Sequence, residues 1–448
     1  MFRYLVDLLN PGNRSSSGLM AKGAGGTFIM KAVNTGLGFV TAILLARALG
    51  VKGYGIYAYV ISWITLLGVF ARLGLDQTIN RYVAVYYQQG DWSRIYGLLR
   101  FSFIVVAVSA MICLLLAGSV TWIYYRDFME MRNALWVSFL ILPITALMVP
   151  CSSTQFGLQQ VIQAQVPFLL VQPVGFMLFV YGAWLLFPGE LTPILVLSLS
   201  VVTTCLSLVL AAWLLKRALM SAFDGVSLST IKPTYDVSAW IHSAIPVTLM
   251  GGMFLANANA DILMLGVMVG PEAAAVYKAA TRGADFVAFG LIIILAPLAP
   301  LITKLYISKE LEQLKSLISR SAKSVFLFSV MTACFLFIFG KQFLSLFGHE
   351  FVLGEMALNI LIVGQLVNSA AGISGTILVM CGLEKKAAAG LFVGVCINIL
   401  LNLMFIPLWG INGAAIATSV STVMWVFMQA YWVFKCLHIN PTCFSFIK

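Results

Sequence analysis

Twelve separate stretches of this chain are apolar over about the ~20 residues that a helix needs to cross a bilayer, and nothing else limits its fold as strongly. They fall at 27–49, 54–75, 99–124, 133–154, 164–187, 193–216, 240–269, 273–303, 321–341, 355–381, 387–408 and 413–436. Gly50, Pro188, Gly270-Pro271, Pro407 and Gly410 punctuate the series, as helix breakers do. Inside lipid every backbone N–H and C=O must find its partner within the segment, which leaves the helix as the form such spans take. The fold class expected is an all-α polytopic membrane protein with about 12 transmembrane helices.

Composition agrees and excludes other classes. Of 448 residues 61% are hydrophobic and only 10% charged, against about 25% charged in an ordinary soluble domain. The formal net charge of +11 invites a nucleic-acid reading, but the basic residues are dispersed among apolar spans and form no long run, so no nucleic-acid partner is expected. They serve topology instead. With an even number of spans both termini share one side, and calling it cytoplasmic gathers Arg94, Arg100, Lys216, Arg217, Lys232, Lys304, Lys309, Lys315, Arg320, Lys323, Lys385 and Lys386 there. The opposite loops hold Lys52, Arg126, Arg132 and Lys341. This asymmetry is the positive-inside pattern, and it places both termini in the cytoplasm.

The longest hydrophilic interruption, near Arg217 to Trp240, divides the spans six and six. Sliding one half so that Gly50 meets Gly270 also sets Lys52 on Glu272, Tyr57 on Tyr277 and Tyr86 on Tyr306. A second echo pairs Gly157-Leu158-Gln159-Gln160 with Gly382-Leu383-Glu384-Lys385. Two parallel six-helix lobes follow, with a transport path between them. The domain limits expected are a cytoplasmic N-terminal segment 1–26, an N-terminal lobe 27–216, a cytoplasmic linker 217–239, a C-terminal lobe 240–436 and a cytoplasmic tail 437–448. Met1 to Leu9 reads as a short amphipathic helix on the cytoplasmic surface, without the compact apolar core of a cleavable signal peptide.

Charge inside spans is the functional signal. A charged side chain at the centre of a bilayer costs about 2.5 to 3.5 kcal/mol on insertion scales. Lys278, Arg282, Asp285 and Phe289 in the eighth span are spaced by helical turns and share a face. Lys31, Asn34, Thr35, Gly38 and Thr41 form a similar stripe in the first span, and Asn257 and Asp261 share a face of the seventh. Lys31 and Arg282 suit an anionic ligand, with Lys278 as a further cation that can also snorkel outward. Asn34, Asn257 and Asn259 offer hydrogen bonds. Arg72, Asp76 and Arg81 cluster where the second span ends. Asp261 and Asp285 are each read as a coupling group or half of a structural ion pair, the latter with Arg282 as its partner. Asn398 and Asn402, one turn apart, read as interhelical hydrogen-bonding groups.

No enzyme is expected. His242, His349 and His438 are scattered, no phosphate-loop motif occurs, and no soluble segment is large enough for a nucleotide-binding domain. The eight cysteines show neither CxxC nor Cys/His spacing and read as reduced core residues. No metal or cofactor follows, and energy would come from an H+ or Na+ gradient, the membrane potential or the substrate's own gradient.

The segment Asn398-Ile-Leu-Leu-Asn402-Leu-Met-Phe-Ile-Pro407-Leu-Trp-Gly410-Ile-Asn-Gly413-Ala-Ala-Ile-Ala-Thr418 resembles the eleventh-to-twelfth helix signature of the polysaccharide biosynthesis, or oligosaccharide flippase, family. Leu44-Leu45-Ala46-Arg47-Ala48-Leu49-Gly50 through Tyr54-Gly55-Ile56-Tyr57 is similar to its first helix and outer loop, as is Asp261 through Gly270-Pro271-Glu272 and Val276-Tyr277. The resemblance implies the fold of the multidrug/oligosaccharidyl-lipid/polysaccharide exporter superfamily, two six-helix lobes around a central cavity. It implies a flippase of the plasma membrane, which in a Gram-negative bacterium is the inner membrane, that carries a polyprenyl-diphosphate-linked oligosaccharide to the outer leaflet by alternating access. The product would enter O-antigen, capsule or exopolysaccharide assembly, with membrane lipids, a polysaccharide polymerase and chain-length machinery as partners. The diphosphate would meet Lys31, Arg81 and Arg282, although a Lys in the first span departs from the preferred Arg and lacks its bidentate fork. The alternative within the superfamily is an ion-coupled drug or metabolite antiporter, for which Asp261 and Asp285 would serve.

Overall fold

The computed structural model describes residues 16–187, 189–222 and 232–444, so the amphipathic segment expected at Met1 to Leu9 lies outside the described residues. Every regular element among them is helical: α1 (Ser16–Arg72), α2 (Leu75–Gln89), α3 (Trp92–Tyr124), α4 (Met129–Phe139), α5 (Ile141–Gly157), α6 (Val161–Val166), a π turn (Pro167–Val171), α7 (Gln172–Leu186), α8 (Pro193–Ala222), α9 (Val237–Met268), α10 (Pro271–Ile307), α11 (Leu311–Ser345), a short 3-10 turn (His349–Gly354), α12 (Glu355–Ala371), α13 (Ile373–Met380) and α14 (Glu384–Leu437). Nine helical stretches among the described residues are long and apolar enough to cross a membrane, or ten when α10 is counted as one span bent by 44° between Leu295 and Leu298. The chain is a multi-pass membrane protein. Two of the nine, Ile29–Arg72 and Glu384–Leu437, run to 44 and 54 residues, about twice the length of one crossing. Each is interrupted by one non-helical glycine, Gly50 (φ 67°, ψ −179°) in α1 and Gly410 (φ 54°, ψ −126°) in α14.

Side chains are sorted for lipid rather than for water. Leu116, Ile123, Leu186, Val209, Ile338 and Leu408 are exposed, while Ser102, Thr204, Ser207, Ser329, Ser369 and Asn398 are fully buried. Lipid tails are as apolar as leucine, so apolar residues gain nothing by leaving that surface, and helices are tied together by packing and interhelical hydrogen bonds. Ser329 Oγ illustrates this, lying 2.7 Å from the Val287 carbonyl on α10 and 2.8 Å from Ser369 Oγ on α12. Of the eight cysteines, all free, Cys151, Cys381 and Cys443 are buried, whereas Cys205 and Cys334 are exposed. Sequence apolarity had suggested core positions for all eight; on a lipid-facing surface a small hydrophobe is equally at home.

The chain forms two compact units, 1–48 with 64–252 and 49–63 with 253–448. The first packs α2, α3, α5 and α8 around Leu75, Ile79, Val83, Leu98 and Trp240, whose indole Nε1 donates to Tyr86 Oη at 3.2 Å. The second packs α10 to α14 around Ile302, Leu314, Ile318, Ile373, Ile377 and Val433. Its members 49–63 earn their place by close approach: a Cβ at Gly55 would overlap the Pro271 carbonyl, and one at Gly266 would overlap the Tyr59 ring. The residues after α14 turn back into this unit, with Ile439 and Cys443 buried and the Cys443 N–H donating to the Ala370 carbonyl at 2.9 Å. That carbonyl sits beside the break between α12 and α13, so the tail satisfies a backbone group freed by the break.

Candidate functional site

In the second unit, α9 and α10 flank the turn at Gly270 (φ 134°, ψ 170°), a conformation open to glycine and costly for other residues. Pro271 at the first helical position then starts α10 with its φ already set. This geometry lets Asp261 and Tyr277, 16 residues apart, meet across the turn: Tyr277 Oη donates to Asp261 Oδ2 at 2.9 Å. Thr418 Oγ1 donates to the same oxygen at 2.6 Å, while Asn402 Nδ2 (2.6 Å) and Asn398 Nδ2 (3.1 Å) donate to Oδ1. Asp261 is 4% exposed, and Asn398 and Asn402 are both fully buried. Four donors from α10 and from both arms of α14 thus enclose a carboxylate on α9. An ionised carboxylate is acceptor-only with about four lone-pair sites, the capacity this cage matches. Tyr277 Oη and Thr418 Oγ1 also lie 3.0 Å apart; with one hydrogen each already directed at Asp261, neither has one left for the other. The cage leaves one acceptor over, since Asn402 Oδ1 is buried without a partner.

The reading of Asp261 as half of a structural ion pair is corrected here. Among the described residues no cation lies within 4.0 Å of it, and neutral amides and hydroxyls take that role instead. Asn398 and Asn402, read as interhelical groups, are two of those donors. Three of the four partners belong to α14, more than 130 positions along the chain, which helical periodicity alone does not bring to Asp261.

The stripe on α10 has the opposite character. Lys278 and Arg282 are half-buried and Asp285 is exposed. The three lie in one another's electrostatic reach, and Arg282 also acts on Tyr54 and Tyr57. No ion pair within 4.0 Å joins Arg282 to Asp285 among the described residues, so the expected Arg282–Asp285 pair is also corrected: spacing by three places two groups on one face, but a shared face does not by itself bring their charged ends into contact. Arg282 Nε is buried with no hydrogen-bond partner, as is Asn257 Oδ1 on α9. A polar atom left in that condition forfeits about 1–3 kcal/mol and in a native structure calls for an explanation such as a ligand. Asn259, by contrast, donates Nδ2 to its own helix at the Leu255 carbonyl, 2.9 Å away. Tyr54, 2% exposed, and Tyr57 stack with ring centroids 6.4 Å apart. Both stand in the first-helix motif, and Tyr57 is the repeat counterpart of Tyr277, but neither was read as a site residue from the sequence.

In the first unit, Lys31 is exposed and borders a pocket of about 430 Å³ that also involves Ser152 and Gln165. Asn34 is half-buried one turn further along α1. Arg81 lies on another element, α2, exposed and with its guanidinium 5.8 Å from the Tyr82 ring centroid. Arg72 has turned inward along its own helix, Nε donating to the Gly68 carbonyl at 2.8 Å. Lys31 and Arg81 thus stand on different helices of this unit, as Asp261 and the Arg282 stripe do in the other.

Comparison with known proteins places this geometry in context. The profile of a family described as polysaccharide biosynthesis protein matches residues 20–306, more than half of the chain, and the profile described as MatE matches residues 246–404. A protein of Haloferax volcanii named as a probable low-salt glycan biosynthesis flippase is 24% identical over 195 residues, which are 43% of this chain. The match spans 41% of that relative's length. Among solved structures, an inward-facing multidrug resistance MATE family transporter of the MOP superfamily superposes with a TM-score of 0.68 at 15% identity, covering 89% of this chain and 93% of that one. The lipid II flippase MurJ in an inward closed conformation gives 0.66 at 13% identity, covering 92% and 87%. At such identities the structural likeness speaks for the fold.

Proposed function

The chain belongs to the polysaccharide biosynthesis protein family, and we propose that it is a flippase carrying a polyprenyl-diphosphate-linked oligosaccharide from the cytoplasmic to the outer leaflet. The observation that carries this reading is the Lys278–Arg282 stripe: two cations on one face of an apolar helix, one with a buried, unpartnered guanidinium nitrogen. Cations of that kind are costly in lipid and recognise diphosphate oxygens well, Arg through its planar fork. Lys31 and Arg81 serve the same anion in this reading, and Asn34, Asn257 and Asn259 the sugars. The relative named as a probable glycan biosynthesis flippase and the MurJ fold support it. Twelve crossings follow if the helices broken at Gly50 and Gly410 are each counted as two and bent α10 as one. Both termini are then cytoplasmic, in the plasma membrane, and a polymerase and chain-length machinery would receive the product on the far side.

Transport in this reading is by alternating access. Coupling to H+ or Na+ is assigned to Asp261, with Asp285 as the second candidate carboxylate. What supports Asp261 is its ring of neutral donors with one spare amide oxygen, a set that can rearrange when the charge at its centre changes.

The test is deletion and complementation. Loss of the chain should cause a cytoplasmic-leaflet lipid-linked oligosaccharide to accumulate, and the wild type but not Arg282→Ala should clear it. Normal surface glycan in the deletion would sink the proposal. The second reading, an ion-coupled drug or metabolite antiporter, is favoured by the MatE match and the MATE fold. It requires unchanged glycolipid pools and a raised sensitivity to a cationic drug.

A further inference from the structure

We propose that the pocket beside Lys31 in the first unit is a built site for the prenyl-phosphate junction of an isoprenoid lipid. This rests on the reading that the chain carries a prenyl diphosphate, and it adds where the first isoprene carbons lie.

One edge of the pocket is cationic and hydroxylic, contributed by Thr27 and Lys31. They stand one turn apart on α1 and so share a face. Gln165 Nε2 donates to Thr27 Oγ1 at 2.8 Å and to the Val161 carbonyl at 3.1 Å. Both amide hydrogens are thereby committed, the threonine is held, and its own hydroxyl hydrogen remains available to an anion. No acidic group lies within 4.0 Å of Lys31 among the described residues.

The remaining wall is apolar: Phe156 at the end of α5, then Val161, Phe168 and Leu169. Phe168 and Leu169 sit in the π turn Pro167–Val171, where the Gln172 N–H reaches the Pro167 carbonyl. Pro167, which has no N–H to give, opens this turn. Inserted turns of this type change the face that following side chains occupy and recur at functional sites. Here two of the five residues of that turn, Phe168 and Leu169, line the pocket.

The chemistry selects the occupant. A free phosphate would leave the aromatic wall without a role. A sugar would need donors as well as acceptors along that wall, yet the Ser152 hydroxyl is turned to its own helix carbonyls at Met148 and Val149, 3.2 Å from each, and both Gln165 amide hydrogens are spent, which leaves acceptors alone. An amphiphile with an anionic end and an apolar stem fits both edges. The volume of about 430 Å³ equals about fourteen waters at about 30 Å³ each, room for the start of an isoprenoid chain but not for a polyprenyl tail.

The experiment uses the full chain in nanodiscs and a photoreactive farnesyl diphosphate analogue. Label should appear in the 152–169 region, and unlabelled farnesyl diphosphate should displace it far better than inorganic diphosphate. Phe168→Ala with Leu169→Ala should weaken farnesyl diphosphate binding about tenfold or more, from lost apolar contact, while Phe168→Leu retains it. The wild-type label map decides the matter even if the double variant fails to fold. Label confined to other regions, with Lys31→Gln still weakening binding, overturns the tail site but leaves the lipid-diphosphate reading intact. No saturable binding by the wild type overturns both. Displacement by anionic phospholipid at the same density as well as by farnesyl diphosphate overturns the isoprenoid assignment in favour of ordinary lipid.

Discussion

Asp261 and Arg282 lie on consecutive helices of the same unit, each an ionisable group in an apolar span, yet they are housed in opposite ways. Around Asp261 the protein supplies four donors within 3.1 Å, three of them from α14 and one from α10. Around Arg282 it supplies electrostatic neighbours but leaves a buried nitrogen without a partner and no ion pair to the nearest carboxylate. The difference teaches how to sort intramembrane charge. A charge whose hydrogen-bond capacity the protein fills is part of the framework, able to couple helices because it holds them. A charge left unfilled is waiting for something that is not protein.

The comparison breaks first on substitution. Arg282→Ala should abolish glycan export with little loss of folded protein, since it deletes an unsatisfied group; Arg282→Lys should keep a fraction of activity as a point charge without the fork. Export at matched protein levels, scored by surface glycan, checks both. Asp261→Leu should do the reverse in stability. It strands the donors of Tyr277, Thr418, Asn398 and Asn402, at about 1–3 kcal/mol for each group left buried and unpaired, and a fall in the thermal unfolding midpoint of the detergent-solubilised protein would show it. Asp261→Asn is the finer probe, since it keeps the shape but sets its own NH2 against neighbouring donors. Should Asp261→Leu melt like the wild type, the cage would not be framework and the contrast would collapse.

Much of this was legible in the sequence, and the rest was hidden for a physical reason. Apolar length is a local property, so the all-helical, multi-pass character and the breaks at Gly50, Gly270 and Gly410 could be read directly. Sliding the halves together aligned Gly50 with Gly270, and both adopt positive φ with ψ near 180°. The second echo is offset: Gln160 N–H reaches the Gln155 carbonyl and Leu383 N–H the Leu378 carbonyl, each just after a left-handed residue, which is Gln159 in one turn and Gly382 in the other. The two turns therefore align two residues away from the register of their sequences. Which helices meet is non-local. Nothing in Asp261, Asn398 or Thr418 says that they converge, and nothing in Asn440-Pro441-Thr442 announces that the tail folds back to the Ala370 carbonyl.

Backbone tests come next in size. Gly270→Ala forces a side chain into φ 134°, ψ 170°, at about 1–3 kcal/mol, and it lies between the helix bearing Asp261 and the one bearing Tyr277. Gly55→Ala should cost at least as much, because the new Cβ overlaps the Pro271 carbonyl and the main chain must shift to admit it. If the cage depends on this turn, Gly270→Ala and Asp261→Asn should be non-additive in unfolding midpoint, whereas Arg282→Ala should add independently to either.

The smallest effect sharpens the rule by finding its limit. Ser207 Oγ in α8 is fully buried and, like Arg282 Nε, has no partner. By the argument from unfilled capacity it too should await a ligand, but the group is a neutral hydroxyl whose satisfaction is worth about 1 kcal/mol, and it is packed with no accessible surface from which a substrate could reach it. Ser207→Ala should therefore be neutral to export and shift stability by less than about 1 kcal/mol, upward if at all, as removal of an unpaired polar atom does. A drop in glycan export from Ser207→Ala, with the unfolding midpoint unchanged, would mean that unfilled capacity marks the transport path even without charge, and the distinction drawn between Asp261 and Arg282 would then extend to every orphaned donor in the spans.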